Sequence, residues 1–455
     1  MKLGKGRRKE TSIVNNPQAL EKIDCLPESG LDENLIREYL VSSVKSNRWQ
    51  NSKLNAGRVL AIPDEFAVEL RNLSEAAANV HLSSPVLSNA YYNLEDTLGR
   101  MVLDFLGHPK PQQGGFLSTH GVTSALTEAI HNSRCRYQEM SFQQEKRLAI
   151  LAPVTSNVAV KKAAKLTGLG TENVIFYDLD EGFQPDAACL EDIFSKASAS
   201  RQEIITAVTV AGDTEHGIIQ DAARLAPAKK AGNYSPDLLI DAAFGWYFLA
   251  ESGTTFSCPE IDFIAMDFNK WLGTMSHAML LLKDGEKLKY SLLEEDREAY
   301  DSESWGFPYS RQHFLRSRAP VTRLGQGAHS IPSNLGVLLK YGKQSMADMA
   351  YRMRELAKEF SEYIRQSEAF ELIVEPQTGI VSFSSCSGKN YRFMEEFNKN
   401  AGPNLAYSTT IRCRRKQELE MPVAERDGFW IHFMPYADRD TLNGYIDRLN
   451  KTLAR

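Results

Sequence analysis

No run of about 18 consecutive apolar residues occurs anywhere in the 455-residue chain, so no membrane-spanning helix is expected. A positive surplus is missing too. The net charge is −5, which removes the electrostatic case for a nucleic-acid partner. Cysteine is sparse and scattered: Cys25, Cys135, Cys189, Cys258, Cys386 and Cys413 show no CxxC spacing. That usage fits reduced thiols in a cytoplasmic protein better than a disulfide framework or zinc site. The histidines form no HExxH, so a metal hydrolase has no support. Repeats and low-complexity segments are absent. The one charge bias, Lys2, Lys5, Arg7, Arg8 and Lys9, reads as a solvated terminus, and no apolar run of a secretory signal accompanies it.

What is present is ordinary globular material, 42% hydrophobic and 24% charged, enough for two or three folding units. Residues 1–75 read as an N-terminal arm, with helical patterning at Leu31–Val44 and Pro63–Leu73 but no core of its own. Residues 76–330 form the expected large domain. It opens with an amphipathic helix at Leu94–Leu106. Strands are expected at Leu148–Ala152, Asn173–Tyr177, Ile204–Ala211, Leu238–Ala242, Phe263–Met266 and Ala278–Leu282. Helices are expected at Val122–Cys135, Val158–Leu166, Ala187–Ser195 and Gln220–Ala228. Apolar strands alternating with helices imply a mostly parallel sheet covered on both faces, hence an α/β fold. Residues 331–455 change rhythm, with helices at Leu335–Ser367, Arg392–Asn400 and Asp438–Leu453. Strands fall at Phe370–Val374, Ile380–Phe383, Tyr407–Cys413 and Gly428–Met434, which makes a smaller C-terminal α+β domain.

Ligands of such sheets sit beyond the carboxyl ends of the strands. Three of these ends carry suggestive groups. Ser118–Ser124 is a small-residue turn opening a helix, where backbone N–H groups suit either a phosphate or an ordinary helix cap. Leu239-Ile240-Asp241-Ala242-Ala243 is an apolar strand ending in an acid. Asp267-Phe268-Asn269-Lys270-Trp271 sets a lysine after an apolar strand, where desolvation suits it to imine chemistry.

Taken in order, these segments resemble the group II pyridoxal-phosphate-dependent decarboxylases, fold-type I relatives of the aromatic amino-acid, glutamate and tyrosine decarboxylases. The family's Asp-Ala strand end is similar to Asp241-Ala242-Ala243, and its Asp-Pro-His-Lys-Trp-like motif to Asp267–Trp271. Its Gly-Thr-Thr-x-x-Gly-x-x-Asp segment looks like Gly212–Asp221. The resemblance implies a large domain with a seven-stranded type of sheet, pyridoxal 5'-phosphate as cofactor, an amino-acid substrate and a homodimer sharing its sites. It implies that Lys270 forms the internal aldimine and that Asp241 keeps the ring nitrogen protonated, so that carbon dioxide leaves to give a quinonoid. Ala243 then lies against the ring, Gly121, Val122, Thr123 and Asn269 cradle the phosphate, and Thr214 sits near the ring hydroxyl. Asn157 and Asn269 stand where the family carries histidines; asparagine hydrogen-bonds but neither stacks like imidazole nor titrates near neutrality.

By the same resemblance a tyrosine on a mobile loop returns a proton to Cα. Tyr300, in a polar run from Glu294 to Ser304 that suits a lid, is the first candidate, and Tyr309 the second. Arg412, Arg414 and Arg415 are candidate partners for the substrate carboxylate. Carbon–carbon lyase chemistry, oxidative deamination and a catalytically degenerate binding subunit stay open as alternatives.

Overall fold

In a computed structural model, residues 32–46, 62–77, 82, 88–140, 146–230, 234–274, 277–303, 310–322, 328–386, 393, 397, 407–412 and 425–454 are described. The basic terminus, Tyr309, Cys413, Arg414 and Arg415 lie outside them, as does most of the helix expected at Arg392–Asn400. The chain falls into two compact units, Met1–Asn55 and Ala56–Arg455. The first holds helix α1 (Glu33–Ser46). All further elements belong to the second.

Continuous Val/Ile/Leu runs build the main sheet. Its strands are β1 (Gly115–Thr119), β2 (Arg147–Pro153), β3 (Val174–Tyr177), β4 (Gln202–Val210), β5 (Asp237–Ala242), β6 (Ile261–Asp267) and β7 (Ala278–Leu282), in the order β1-β7-β6-β5-β4-β2-β3. β2 to β6 run parallel with β3, and β7 alone is antiparallel to its neighbours β6 and β1. Every residue of β1, β5, β6 and β7 is buried, as expected of strands covered on both faces.

Alternation decides which helix covers which side chain. Leu117, Leu239, Phe263, Ala265 and Leu280 pack against Val122, Ala125 and Leu126 of α4 (Val122–Met140). Phe116, Ile240, Ile264, Met266 and Leu281 face the other way, toward Leu98 and Val102 of α3 (Asn89–Phe105) and toward Trp246 and Trp271. Each fully buried Leu, Ile or Phe contributes roughly 1.5–3 kcal/mol, enough for the sheet to carry a few buried charges at its edge.

The remaining helices are α2 (Glu65–Ala77), α5 (Val158–Leu166), α6 (Ala187–Ala199), α7 (Trp246–Ser252), α8 (Asn269–Leu272), α9 (Glu294–Asp301), α10 (Arg311–Arg318), α11 (Ser330–Gln366) and α12 (Arg439–Leu453). α2 docks on α11, where Ser333 Oγ donates to the Ala67 carbonyl at 2.8 Å. α11 changes direction at Gly342, whose φ of 60° is open to glycine without strain. It leads into a four-stranded antiparallel sheet of β8 (Phe370–Leu372), β9 (Ile380–Ser385), β10 (Tyr407–Arg412) and β11 (Glu425–His432), ordered β10-β11-β9-β8. Asp438 and Thr441 form a capping box at the start of α12. Among the described residues no helix is long and apolar enough to cross a membrane.

The expected α/β class holds, and four local expectations change. β1 was not anticipated; it is five residues long and ends in Ser-Thr, too short and too polar to stand out. The helix expected at Gln220–Ala228 is a 3₁₀ segment, Ala222–Lys230, because Pro227 lies inside it and lacks the N–H an α-helix needs there. α7 also escaped the sequence reading. The lid expected over Glu294–Ser304 is helical through Asp301, with Glu294, Glu295 and Asp296 favouring its first turn.

Candidate active site

The strand register brings the three suggestive segments to one edge. Thr119 of β1 pairs with Ala278 of β7, and Ala278 with Asp267 of β6. One strand further, Ala242 pairs with Met266, and Asp241 with both Ala265 and Val210. Asp241 and Asp267 follow the alternation of Leu239, Phe263 and Ala265, so both aim at the face covered by α4. Gly121 to Thr123, at the start of α4, follow directly from Thr119. Lys270 lies in the single turn of α8 that leaves β6.

Electrostatics tie these groups together. Burial pushes the Asp241 carboxyl up, while the Lys270 ammonium and the Ala243 N–H, 3.2 Å from Oδ1, work against that rise. Burial also drives Asp267, up to about 6; Lys270 and the Asn269 N–H at 3.1 Å oppose it, and Asp241 adds repulsion. A third group feels the same lysine: His432, the last residue of β11, is pushed down to about 4, chiefly by burial. Lys270 is therefore within electrostatic reach of side chains on β5, β6 and β11.

The segment after β4 supplies the next wall. Gly212 has φ +74° and approaches Gly245 so closely that an added Cβ would stand 2.9 Å from the Gly245 backbone. Only glycine fits this position without displacing the β5–α7 turn. Beyond it, Asp213 accepts from the N–H groups of Glu215, His216 and Ile218 and from His216 Nδ1 at 2.8 Å. Burial works against the Asp213 charge, yet His216 and these N–H groups hold its carboxyl below the usual range. The Thr214 carbonyl accepts from His432 Nε2 at 3.1 Å.

At the helix end, a Cβ added at Gly121 would meet nothing within 4 Å, so open space lies there. Asn269 Oδ1 is buried with no hydrogen-bond partner. Asn157 is exposed at the carboxyl end of β2 and caps α5, its Oδ1 accepting from Ala159 N at 3.0 Å.

Tyr300 is not brought to Lys270 within this chain. Its hydroxyl donates to Glu286 and accepts from Arg311 Nε at 2.6 Å, and its ring packs on Phe314. Burial and the Glu286 carboxylate push the phenol up to about 12. Glu286 follows β7, whose end at Leu282 pairs with Phe263 and Gly115. That is the opposite edge of the sheet from Asp267, about four strand residues or roughly 13 Å away. The β-strand backbone places Arg412 at the end of β10; its side chain lies outside what is described.

Sequence reasoning missed His432, Asp213 with His216, and the titrating character of Asp267. A signal existed for the first, a single polar residue within the apolar stretch Phe429–Met434. The other two sat inside motifs read for Thr214 and Lys270 alone.

Asp267 yields a pH dependence. Below about pH 4 both folded and unfolded chains hold its proton; between about 4 and 6 the unfolded chain ionises while the folded one does not. Folding of the cofactor-free protein therefore weakens over that window, by up to about 3 kcal/mol, and levels off above it. In Asp267→Asn, which keeps an acceptor for the Asn269 N–H, urea titrations at pH 4 and 7 should show a smaller loss, what remains coming from Asp241.

The pattern described as the pyridoxal-dependent decarboxylase conserved domain matches residues 80–386. The chain is 27% identical over 273 residues to an L-2,4-diaminobutyrate decarboxylase of Acinetobacter baumannii, a match covering 57% of this chain and 50% of that protein. The chain thus spans half the length of that relative. It is 22% identical over 442 residues to a probable L-aspartate decarboxylase of Pyrococcus abyssi, covering 94% of this chain and 99% of the relative. Its fold matches that of Catharanthus roseus tryptophan decarboxylase in complex with L-tryptophan with a TM-score of 0.80 at 15% identity, over 97% of this chain and 92% of that one. The chain belongs to the pyridoxal-dependent decarboxylase family, whose members are carboxy-lyases and whose cofactor is pyridoxal phosphate.

The residues fit that cofactor. An amine on Lys270 suits its aldehyde, and a buried carboxyl at Asp241 suits a ring nitrogen. The start of α4, with the open space at Gly121, suits a phosphate.

Proposed function

We propose that the protein decarboxylates an amino acid, with Lys270 holding pyridoxal phosphate covalently. When bound, the cofactor supplies an electron sink for the pair left behind by departing carbon dioxide. Asp241 would keep the ring nitrogen protonated, its carboxylate fixed in place by the Ala243 N–H. Ala243, Thr214 and Asn157 would line the cofactor's ring. The N–H groups of Val122 and Thr123, with Gly121 and Asn269, would hold its phosphate. Lys270 Nζ holds or releases a proton beside the buried acids. In this reading residues 76–330 would hold the cofactor and 331–455 form the smaller domain.

The observation that supports the proposal most is the shared influence of the Lys270 charge on Asp241 and Asp267, from neighbouring strands of the main sheet, and on His432, from the small sheet. Tyr300 has no such support, since its hydroxyl is engaged at the far edge. A homodimer and a cytoplasmic location complete the reading; light scattering of the purified protein tests the first.

Adding pyridoxal phosphate to the purified protein is expected to produce a visible absorbance band. Borohydride should then fix the cofactor on the peptide containing Lys270, and an amino-acid panel should release carbon dioxide from at least one member. A protein that takes up no cofactor, or fixes it on another lysine, would sink the proposal.

A further inference from the structure

β11 turns alternate side chains to opposite sides of the small sheet. Phe429 packs with Phe383 and Phe393 on one side. Trp430 and His432 face the other way, beside Ser382 and Ile380 of β9, which pair with them. That second face meets the segment after β4. Ser382 Oγ donates to the Glu215 carbonyl, His432 Nε2 to the Thr214 carbonyl, and Gln377 Oε1 accepts from Ile219 N at 2.8 Å.

Trp430 and His432 are both buried, 9% and 1% exposed. A carbonyl only accepts, so Nε2 carries the ring proton and the neutral imidazole offers a lone pair at Nδ1. Burial, aided by the Lys270 ammonium and opposed by the Thr214 carbonyl, keeps that ring neutral near pH 7. Among the described residues neither Nδ1 of His432 nor Nε1 of Trp430 has a hydrogen-bond partner. One unsatisfied donor and one unsatisfied acceptor thus share a buried face, and its histidine feels Lys270. Buried polar groups are as a rule completed by a partner, whether protein, ordered water or ligand.

We propose that Trp430 and His432 read the side chain of the amino-acid substrate, the indole N–H donating to an oxygen and Nδ1 accepting an N–H or O–H. The inference rests on the decarboxylase reading above. It names a substrate class: a neutral side chain that both accepts and donates, a carboxamide or a hydroxyl. A carboxylate has no hydrogen for Nδ1, and an ammonium has no lone pair for the indole.

The test uses the cofactor-loaded protein labelled with ¹⁵N-tryptophan and titrated with asparagine, glutamine, tyrosine, aspartate and 2,4-diaminobutyrate. Binding is read from the visible band and from the Trp430 indole resonance, assigned by its loss in Trp430→Phe. Asparagine, glutamine or tyrosine is expected to move that resonance and to bind more tightly than aspartate. Trp430→Phe and His432→Gln should each weaken that binding about tenfold, the value of one hydrogen bond, with KM rising in step and kcat changing much less.

Two variants separate reading from scaffolding. The amide of His432→Gln still reaches the Thr214 carbonyl but lacks the acceptor at Nδ1. The amide oxygen of His432→Asn stands close to where Nδ1 does. Retained selectivity in the Asn variant and lost selectivity in the Gln variant support the proposal. The reverse order assigns His432 to holding Thr214 alone and overturns it, as does an indole resonance unmoved by an amino acid that shifts the visible band. If no amino acid shifts the band, the decarboxylase reading falls and this inference with it. If carbon dioxide is released but both variants behave like the parent, only the side-chain assignment falls.

Discussion

Lys270→Ala is expected to abolish borohydride-fixed cofactor and to lower carbon dioxide release by at least about a thousandfold, some 4 kcal/mol of barrier. The size follows from losing one group with two tasks, the covalent hold on the cofactor and a mobile proton among buried acids. The substitution also has a signature that needs no turnover. Lys270 lowers Asp241, Asp267 and His432 together, so its removal should raise all three. Side-chain NMR of the cofactor-free variant can follow His432 directly. Unchanged titration of His432, together with normal cofactor fixation, would place the reactive lysine elsewhere.

Asp241→Asn should cost about as much, roughly a thousandfold in kcat/KM, because an amide cannot keep a positive ring nitrogen opposite it. The geometry survives, since the amide oxygen still accepts from the Ala243 N–H. Stability should move the other way. Burial raises the Asp241 carboxyl in the folded chain, so folding is penalised once pH exceeds the unfolded value near 4. The cofactor-free variant should therefore outlast the parent in urea at pH 7, and the difference should vanish as pH falls below about 4 and both states become protonated. A variant that is less stable at pH 7 would show that the carboxylate is a structural anchor and not a retained cost of function. Natural active sites hold groups of this kind at the expense of stability.

Much of this was legible from residue order. β5, β6 and β7 are largely apolar, and such strands occur where helices cover both faces of a sheet. Lys270 and Asp241 stood out because each lies at or just past the carboxyl end of one of those strands, where ligands sit. The phosphate turn was legible for the same reason. β1 was not, since a five-residue strand ending in Ser-Thr carries no period long enough to read. α9 looked like a loop because its apolar content is almost confined to Tyr300, and the acids of its first turn stabilise a helix without any hydrophobic pattern. That folding carries Tyr300 to Glu286, a partner no local pattern announces. His432 and Trp430 were hidden for a different reason. Their meaning depends on the Thr214 carbonyl and on Lys270, contacts that exist only after two distant stretches of chain have met.

That meeting has a consequence for how the protein matures. A ribosome delivers Lys270 and the Gly212–Gln220 segment long before β9 and β11, so the nascent chain carries a reactive amine whose supporting wall has not been made. The Thr214 and Glu215 carbonyls gain their imidazole and hydroxyl donors only near the end of synthesis. Cofactor loading should accordingly be a late event, gated by the arrival of the final strand, and chains stalled before it should leave the aldehyde free.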